Sequence, residues 1–440
     1  MQSLLLAPKL ATGLDLIDRT GNAHADGKQH DNRRRSAGRP SAAGRCNMNG
    51  TPFRGRTAVV GVGESRFYKH GRATDSEFKL TLDAILAAVA DAGIDPRRID
   101  GFASFSMDRS DPSRLAAALG LPELRYANMF WGGGGGGAAA VANAAAAIIA
   151  GQAKCVVVFR GIAQGQHGRF GDGAAVSGYS KDGSYFAPYG LLTPASWYAM
   201  RVTRFMHDHG IEQDALRAIS LASYHHAQSN PRAVMNGSPL TVEKYDASRW
   251  IIEPGFRLYD CCMENDCAAA IILVAADEAQ ALHQQPAYIL GAAQGSEYRN
   301  QARVYNAPNF ASSSFSTVGP RLFEQAGVKP SEVDVAQSYE NFTGGVLMSL
   351  IEHGFCAPEE ANTFFTLENL TAPGGRLPLN TSGGNLAEAY IHGMGLIVEA
   401  VRQVQGRSTA QVPEVNISFV SSGPMVSPCS NLLLGNRSTL

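Results

Sequence analysis

Two short stretches carry side chains able to move protons. Ser338-Tyr-Glu-Asn-Phe342 puts Tyr339 at the end of an apolar run, Val333-Asp-Val-Ala-Gln337, with the character of a buried strand. Further along, Asn380-Thr-Ser-Gly-Gly-Asn-Leu-Ala-Glu-Ala-Tyr-Ile-His-Gly393 sets Gly383 and Gly384 ahead of a helix expected over 388–405. Tyr390 and His392 then fall near the start of that helix. A phenol titrates near about 10 and acts as acid or base once its neighbours adjust it. Two facing phenols with a histidine close by supply both roles and a proton path. A third stretch, Gly132 to Gly137, runs into an alanine-rich helix ending at Gly151. Backbone N–H groups at Gly134, Gly135, Gly136 and Gly137 would there form an oxyanion site. Asn341 and the Gly383–Gly384 pair complete the expected substrate-binding set.

Each of these residues has a bland alternative when taken alone. Tyr339 could be a strand-end core residue, His392 a buried polar group, and the glycine run a tight helix–sheet contact. As a nucleotide motif the glycine run is weak, because it lacks the spacing of a dinucleotide fingerprint. Their joint placement at element ends, where α/β folds gather chemistry, favours function.

The elements that position them alternate. Thr57 to Gly63 is a strand, and Thr74-x-x-Glu77 opens a helix that Gly93 closes. Strands follow over 99–105, 125–130 and 154–160, with a short helix over 113–119 between the first two. This alternation predicts a mostly parallel, covered sheet. The stretch 161–256 departs from it, with helices expected over 195–209, 213–230 and 241–249, and should cover the sheet as an insertion. A strand returns over 266–275.

The pattern then restarts. Ala92-Gly-Ile-Asp-Pro-Arg-Arg-Ile-Asp100 and Ala326-Gly-Val-Lys-Pro-Ser-Glu-Val-Asp334 share the form A-G-[IV]-x-P-x-x-[IV]-D, each between a helix and a strand. That matching context argues for an internal duplication. It sets Tyr339 opposite Phe105, and the helix after Gly383 opposite the helix after Gly132. Two βαβαβ halves packed back to back would aim both glycine-led starts at one site. The organisation expected is an N-terminal extension over 1–50, a first half over 51–280 and a second half over 281–440.

Composition narrows the classes. Of 440 residues, 18% are charged and the net charge is -1, without the basic stripes of a nucleic-acid partner. No apolar run approaches the roughly 20 residues of a membrane span. Seven cysteines lack the paired spacing of a zinc site or a disulfide framework, which suits a reducing cytoplasm. Residues 1–47, with Arg33-Arg34-Arg35, are read as a disordered extension, with Met48 as the functional start. Cys261, Cys262 and Cys267 are taken as small buried residues, His225 and His226 as an exposed helical pair, and Arg160, Lys181 and Arg201 as solvated surface.

Over residues 56–440 the chain resembles the thiolase superfamily, in its lipid-transfer-protein and sterol-carrier branch. The marks are Asn230-Pro231 with Ala233, Pro254 before Tyr259-Asp-Cys-Cys262, and Asn265-Asp-Cys-Ala-Ala-Ala270. The resemblance implies a five-layered α-β-α-β-α fold and a homodimer. The departures from thiolases fall on their catalytic positions. The nucleophilic cysteine, 17 residues before the helix-closing glycine, is Gly134 here. Asn-Glu-Ala-Phe becomes Tyr339-Glu-Asn-Phe342, Gly-His-Pro becomes Ala389-Tyr390-Ile391, and the late Cys-x-Gly becomes Ser421-Ser-Gly423. Claisen chemistry through an acyl-enzyme has none of its residues.

The replacements resemble the steroid side-chain aldolases, thiolase-like lyases that cleave a β-hydroxy acyl-CoA. The resemblance implies a 17-hydroxy-20-carboxyl steroid CoA thioester as substrate, giving a 17-ketosteroid and propionyl-CoA. It implies no cofactor or metal, and a separate OB-fold and zinc-ribbon partner that helps hold the acyl-CoA. Tyr339 and Tyr390 would form the acid/base pair, and His392 would adjust it or relay protons. The missing side chain at Gly134 would make room for a branched substrate. The competing readings are a non-catalytic lipid or acyl-CoA binder and an ordinary acyltransferase.

Overall fold

The computed structural model describes residues 53–440 except 107, 170–182, 283, 299–306 and 308. The expected N-terminal extension and Lys181 lie outside the described residues. The strands that matter are β1 (Thr57–Glu64), β2 (Gly101–Phe105), β3 (Tyr126–Phe130), β4 (Val156–Ala163) and β5 (Asn265–Ala275). The second set is β6 (Ala287–Gly295), β7 (Val335–Ser338), β8 (Ile417–Ser422) and β9 (Cys429–Gly435). Among the helices, α1 is Glu77–Ala92, α2 Gly136–Ile149, α3 Pro194–His209 and α4 Gln213–Ser229. Beyond them come α5 (Phe315–Ala326), α6 (Thr343–Glu352) and α7 (Met394–Val404).

The strands follow one hydrogen-bonded path, β7-β8-β9-β6-β1-β5-β4-β2-β3, with the two-residue strand Tyr68–Lys69 beside β5. Helix α2 touches β2, β3 and β4 but also β6, β8 and β9. Helix α7 touches β7 and β8 but also β1 and β5. These two helices therefore lie between the halves of the path. On the outer sides, α1 covers β1, β4 and β5, while α5 covers β6 and β9 and α6 reaches β7. This is the expected α-β-α-β-α layering. The middle layer is built from small side chains: Ala138 to Ala142 and Gly136 and Gly137 on α2 are all buried, which lets the helix approach both sheets.

Among the named strands of the described residues, parallel pairing joins β2 with β3 and β4, and β7 with β8. The pairs β8–β9, β9–β6, β6–β1, β1–β5 and β5–β4 are antiparallel. The mostly parallel sheet expected from alternation is thus corrected. Residues 423–428 between β8 and β9 are too few for a crossover helix, so the chain must return antiparallel.

The duplication is visible in hydrogen bonds as well as letters. Helices α1 and α5 end at Gly93 (φ 66°) and Gly327 (φ 62°), each followed by one 3₁₀ turn, Pro96–Arg98 or Pro330–Glu332. The motif's last aspartate then does the same work twice. Asp100 accepts from the backbone N–H of Lys154 and Cys155 just before β4. Asp334 accepts from Asn416 and Ile417 at the start of β8, both at 2.8 Å. Each carboxylate ties one parallel strand to the next, with Phe105 and Tyr339 at the matching strand ends.

The insertion's α3 and α4 pack against α6. The helix expected over 241–249 is limited to Val242–Asp246. Arg160 and Arg201 are 3% and 0% exposed, so neither is a surface cation, and His226 is buried while His225 is exposed. The sequence shows positive charge at these positions but not the sheet and helix that enclose them.

Candidate active site

Tyr339 follows the last residue of β7, and its backbone N–H donates to the Ser421 carbonyl of β8 at 3.0 Å. Tyr390 and His392 are not on a helix, contrary to expectation. Of the run expected over 388–405 only α7 is helical; residues 388–393 are irregular and follow a four-residue helix, Gly384–Ala387. The physical reason is that tertiary partners take the segment's backbone groups. The N–H of Tyr390 donates to Asn265 Oδ1 at 2.8 Å, and the Glu388 carbonyl accepts from Val234 N–H at 2.8 Å. His392 holds φ 54°, a left-handed conformation that side chains seldom adopt and that clusters at functional sites.

The irregular segment brings the two phenols together. Tyr339 Oη and Tyr390 Oη are 2.8 Å apart, at 2% and 4% exposure. The His392 ring centroid lies 6.4 Å from that of Tyr339 and 5.7 Å from that of Tyr390. Burial pushes both phenols well above their ordinary range, and for Tyr339 the neighbouring phenol adds to the effect. Both stay protonated at neutral pH. Burial and the Arg160 cation hold His392 well below its ordinary value, so the imidazole stays neutral.

The three side chains line a cavity of about 1150 Å³, together with Gly133, Gly134, Asn341 and Phe342. The insertion roofs it with Thr193, Pro194, Ala195 and Tyr198 at the start of α3. Cys261 and Cys262 also line it and are only partly buried, unlike Cys267. Lys69 and Arg72 bring positive charge to the same cavity, and Arg169 lines it with its Nε 3.4 Å from the Glu264 carboxylate in the same wall.

The oxyanion donors expected along the glycine run are narrowed. Gly135 N–H donates to the Gly132 carbonyl, Gly136 N–H to the Gly133 carbonyl, and Ala138 N–H to Ser422 Oγ. Gly133 and Gly134 line the cavity, whereas Gly135, Gly136 and Gly137 pack against Pro428, Phe105 and Ser422. The room left at Gly134 is not open to substrate. A Cβ there would strike Tyr339 Oη and Cζ, so the phenol occupies that space. Gly393 supports the opposite side, since a Cβ there would lie 2.6 Å from Tyr339 Cδ2. Gly383 and Gly384 are not in the cavity lining; they let the chain pass Ala227 and the Glu340 carboxylate. Ser421 is buried and bonded to Ser338 at 2.8 Å and Ser349 at 3.0 Å, away from the cavity.

Glu340, next to Tyr339, anchors the irregular segment by accepting from Asn385 N–H at 2.8 Å and Asn385 Nδ2 at 3.1 Å. Burial pushes its carboxyl from 4.5 up to about 8. A raised carboxyl favours folding fully below its unfolded value, and that contribution drains away as pH climbs through the folded value. The thermal midpoint should therefore fall as pH rises from about 5 to about 9. Glu340→Gln should flatten that slope in a scanning-calorimetry series. An unchanged slope would mean that Glu340 is not the group responsible.

Residues 296–436 match the family described as Thiolase C-terminal domain-like. A steroid side-chain-cleaving aldolase of Thermomonospora curvata is 40% identical over 389 residues, 87% of this chain and 98% of that one. The chain belongs to this family of thiolase-like aldolases. A 17-hydroxy-3-oxo-4-pregnene-20-carboxyl-CoA lyase of Mycobacterium tuberculosis is also 40% identical, over 87% of this chain and 99% of that protein. The solved Ltp2-ChsH2(DUF35) aldolase superposes with a TM-score of 0.81 at 38% identity, covering 88% of this chain and 100% of that one. Membership makes the chain a carbon–carbon lyase of the thiolase-like fold. Among the described residues no helix is long and apolar enough to cross a membrane.

Sequence reasoning missed Gly133, Tyr198, Asn265 and the cations Lys69, Arg72 and Arg169. Asn265 had a signal, since it begins the Asn265-Asp-Cys-Ala-Ala-Ala270 mark. The cations had none, because they come together only through the fold.

Proposed function

We propose that this lyase cleaves the side chain of a 17-hydroxy-20-carboxyl steroid CoA thioester, releasing a 17-ketosteroid and propionyl-CoA. The observation that carries the mechanism is the 2.8 Å phenol pair in the cavity. Retro-aldol cleavage moves one proton from the tertiary hydroxyl to the α-carbon of the thioester. The C–C electron pair passes through the enolate, and the atoms balance without a cofactor.

Because burial keeps both phenols protonated, neither is a standing base. The pair works as a relay instead. One phenol takes the substrate proton as it hands its own to the other, which protonates the enolate carbon. Gly134, in the 3₁₀ turn ahead of α2, would with His392 face the thioester oxygen. Ile251, Val234, Met235 and Phe342 give the cavity apolar walls suited to a ring system, and Lys69, Arg72 and Arg169 suit the CoA phosphates.

The reading includes two protein contacts. Strand β3 is a sheet edge, and Met129 and the adjacent Trp131 are 42% and 72% exposed, which suits homodimer pairing across that edge. The name of the solved relative joins two components, which supports a separate partner here; that it is an OB-fold and zinc-ribbon protein rests on the resemblance alone. Incubating the chain with such a steroid thioester, with and without the partner, should release propionyl-CoA faster with it. Tight binding without release would favour the non-catalytic acyl-CoA binder.

A further inference from the structure

Beneath the phenol pair lies a charge pair that the relay does not use. Arg160, on β4, is 3% exposed, and the side chain of Asp108 is 0% exposed. Arg160 Nη1 donates to Asp108 Oδ2 at 3.0 Å, and Asp108 also accepts from Gly161 N–H and Ser110 N–H, both at 2.8 Å. A second guanidinium contact, Nη2 to the Ser106 carbonyl at 3.4 Å, completes the hold on its plane. So clamped, Arg160 directs Nε–H at His392 Nδ1, 3.3 Å away.

We infer that Arg160 is a positioning residue that fixes the tautomer of His392, making the histidine a hydrogen-bond donor through Nε2–H rather than a carrier of protons. A guanidinium has donors and no acceptor, so the nitrogen it faces must be the unprotonated one. In a neutral imidazole the proton then resides on Nε2. The ring edge carrying it is the one turned away from Arg160, on a residue that lines the cavity. The strained φ of 54° at His392 is consistent with a ring held for a purpose. The assignment of the thioester oxygen as acceptor rests on the retro-aldol reading; the tautomer does not.

The other titratable groups around the ring are Asp108, Tyr339 and Tyr390, with Cys262 in the same cavity wall and Cys267 below, bonded to the Tyr390 carbonyl. A buried aspartate left without its cation would itself destabilise the fold. The Asp108→Asn/Arg160→Gln double variant removes both charges together. Arg160→Lys keeps the cation but lacks the planar fork.

The test is ¹⁵N-histidine NMR of the full chain, with His392 assigned by His392→Gln, alongside the pH profile of kcat. In the wild type, His392 should show unprotonated Nδ1 and protonated Nε2 throughout about pH 5.5 to 9. In the double variant the ring's titration should move upward, with burial still holding it below its ordinary value, and the tautomers should mix. The kcat profile should then move its acidic limb upward, with about a twofold loss at neutral pH from the rings that carry the proton on Nδ1. Arg160→Lys, whose ammonium also has donors and no acceptor, should keep both the neutral ring and the Nε2–H tautomer. A wild-type imidazolium near neutrality, a proton on Nδ1, or an unchanged tautomer in the double variant would overturn the inference. The NMR reading needs no turnover, so failure of the steroid thioester to react would count against the reaction and leave the tautomer result standing.

Discussion

Tyr339→Phe and Tyr390→Phe should each lower kcat for carbon–carbon cleavage by about 10²- to 10⁴-fold, the range for loss of a positioned proton-transfer group. The two losses should be similar, because a relay stops when either member is removed. KM should move by less than about threefold, since each ring and its packing remain and only a hydroxyl is lost. Removing that hydroxyl costs one hydrogen bond, about 0.5–1.5 kcal/mol, too little to unfold the chain. The double variant should be no slower than the worse single variant, the non-additivity expected of groups acting as a unit. Steady-state rates of propionyl-CoA release across the four proteins decide this. Losses that multiply would mean that the two phenols act independently.

The second large effect belongs to a residue with no side chain. Gly134→Ala should lower kcat by about 10²-fold or more, because a methyl group there collides with the Tyr339 hydroxyl and ring. Tyr339 could then move only into the cavity and away from Tyr390, since Gly393 lies against its other edge and its backbone is bonded to Ser421. Gly134→Cys would restore the thiol that thiolases carry, yet it should not create an acyltransferase. The phenol holds the space that thiol needs. Mass spectrometry after exposure to acetyl-CoA should find no acylated protein. A full rate in Gly134→Ala, or an acyl adduct on Gly134→Cys, would show that Tyr339 moves aside freely.

The pairing of Tyr339 with Tyr390, 2.8 Å apart in the fold, was legible in the sequence through residue identity. Tyr339 and Tyr390 stand where thiolase motifs carry asparagine and histidine, and the repeat marked Asp100 and Asp334 before their common role was visible. What was not legible depends on long-range contacts. Glu388 to His392 has helical letters, but Asn265 and Val234, distant in sequence, take its backbone groups. Gly134 gave the missing thiol but not what fills the gap, because Tyr339 is far away along the chain. Arg160 looked like a surface cation because nothing local announces that Asp108 folds beneath it.

Cleavage through the phenol pair is proposed to be direct, without a covalent acyl-enzyme. The most direct measurement is a single turnover of the 17-hydroxy-20-carboxyl steroid CoA thioester by excess protein and partner, quenched in time and read by intact-protein and product mass spectrometry. The account predicts 17-ketosteroid and propionyl-CoA appearing together at one rate, with the protein mass unchanged at every time point and neither product formed by Tyr339→Phe on that timescale. A transient acyl adduct on the protein, or ketosteroid formed at the wild-type rate by Tyr339→Phe, would contradict it.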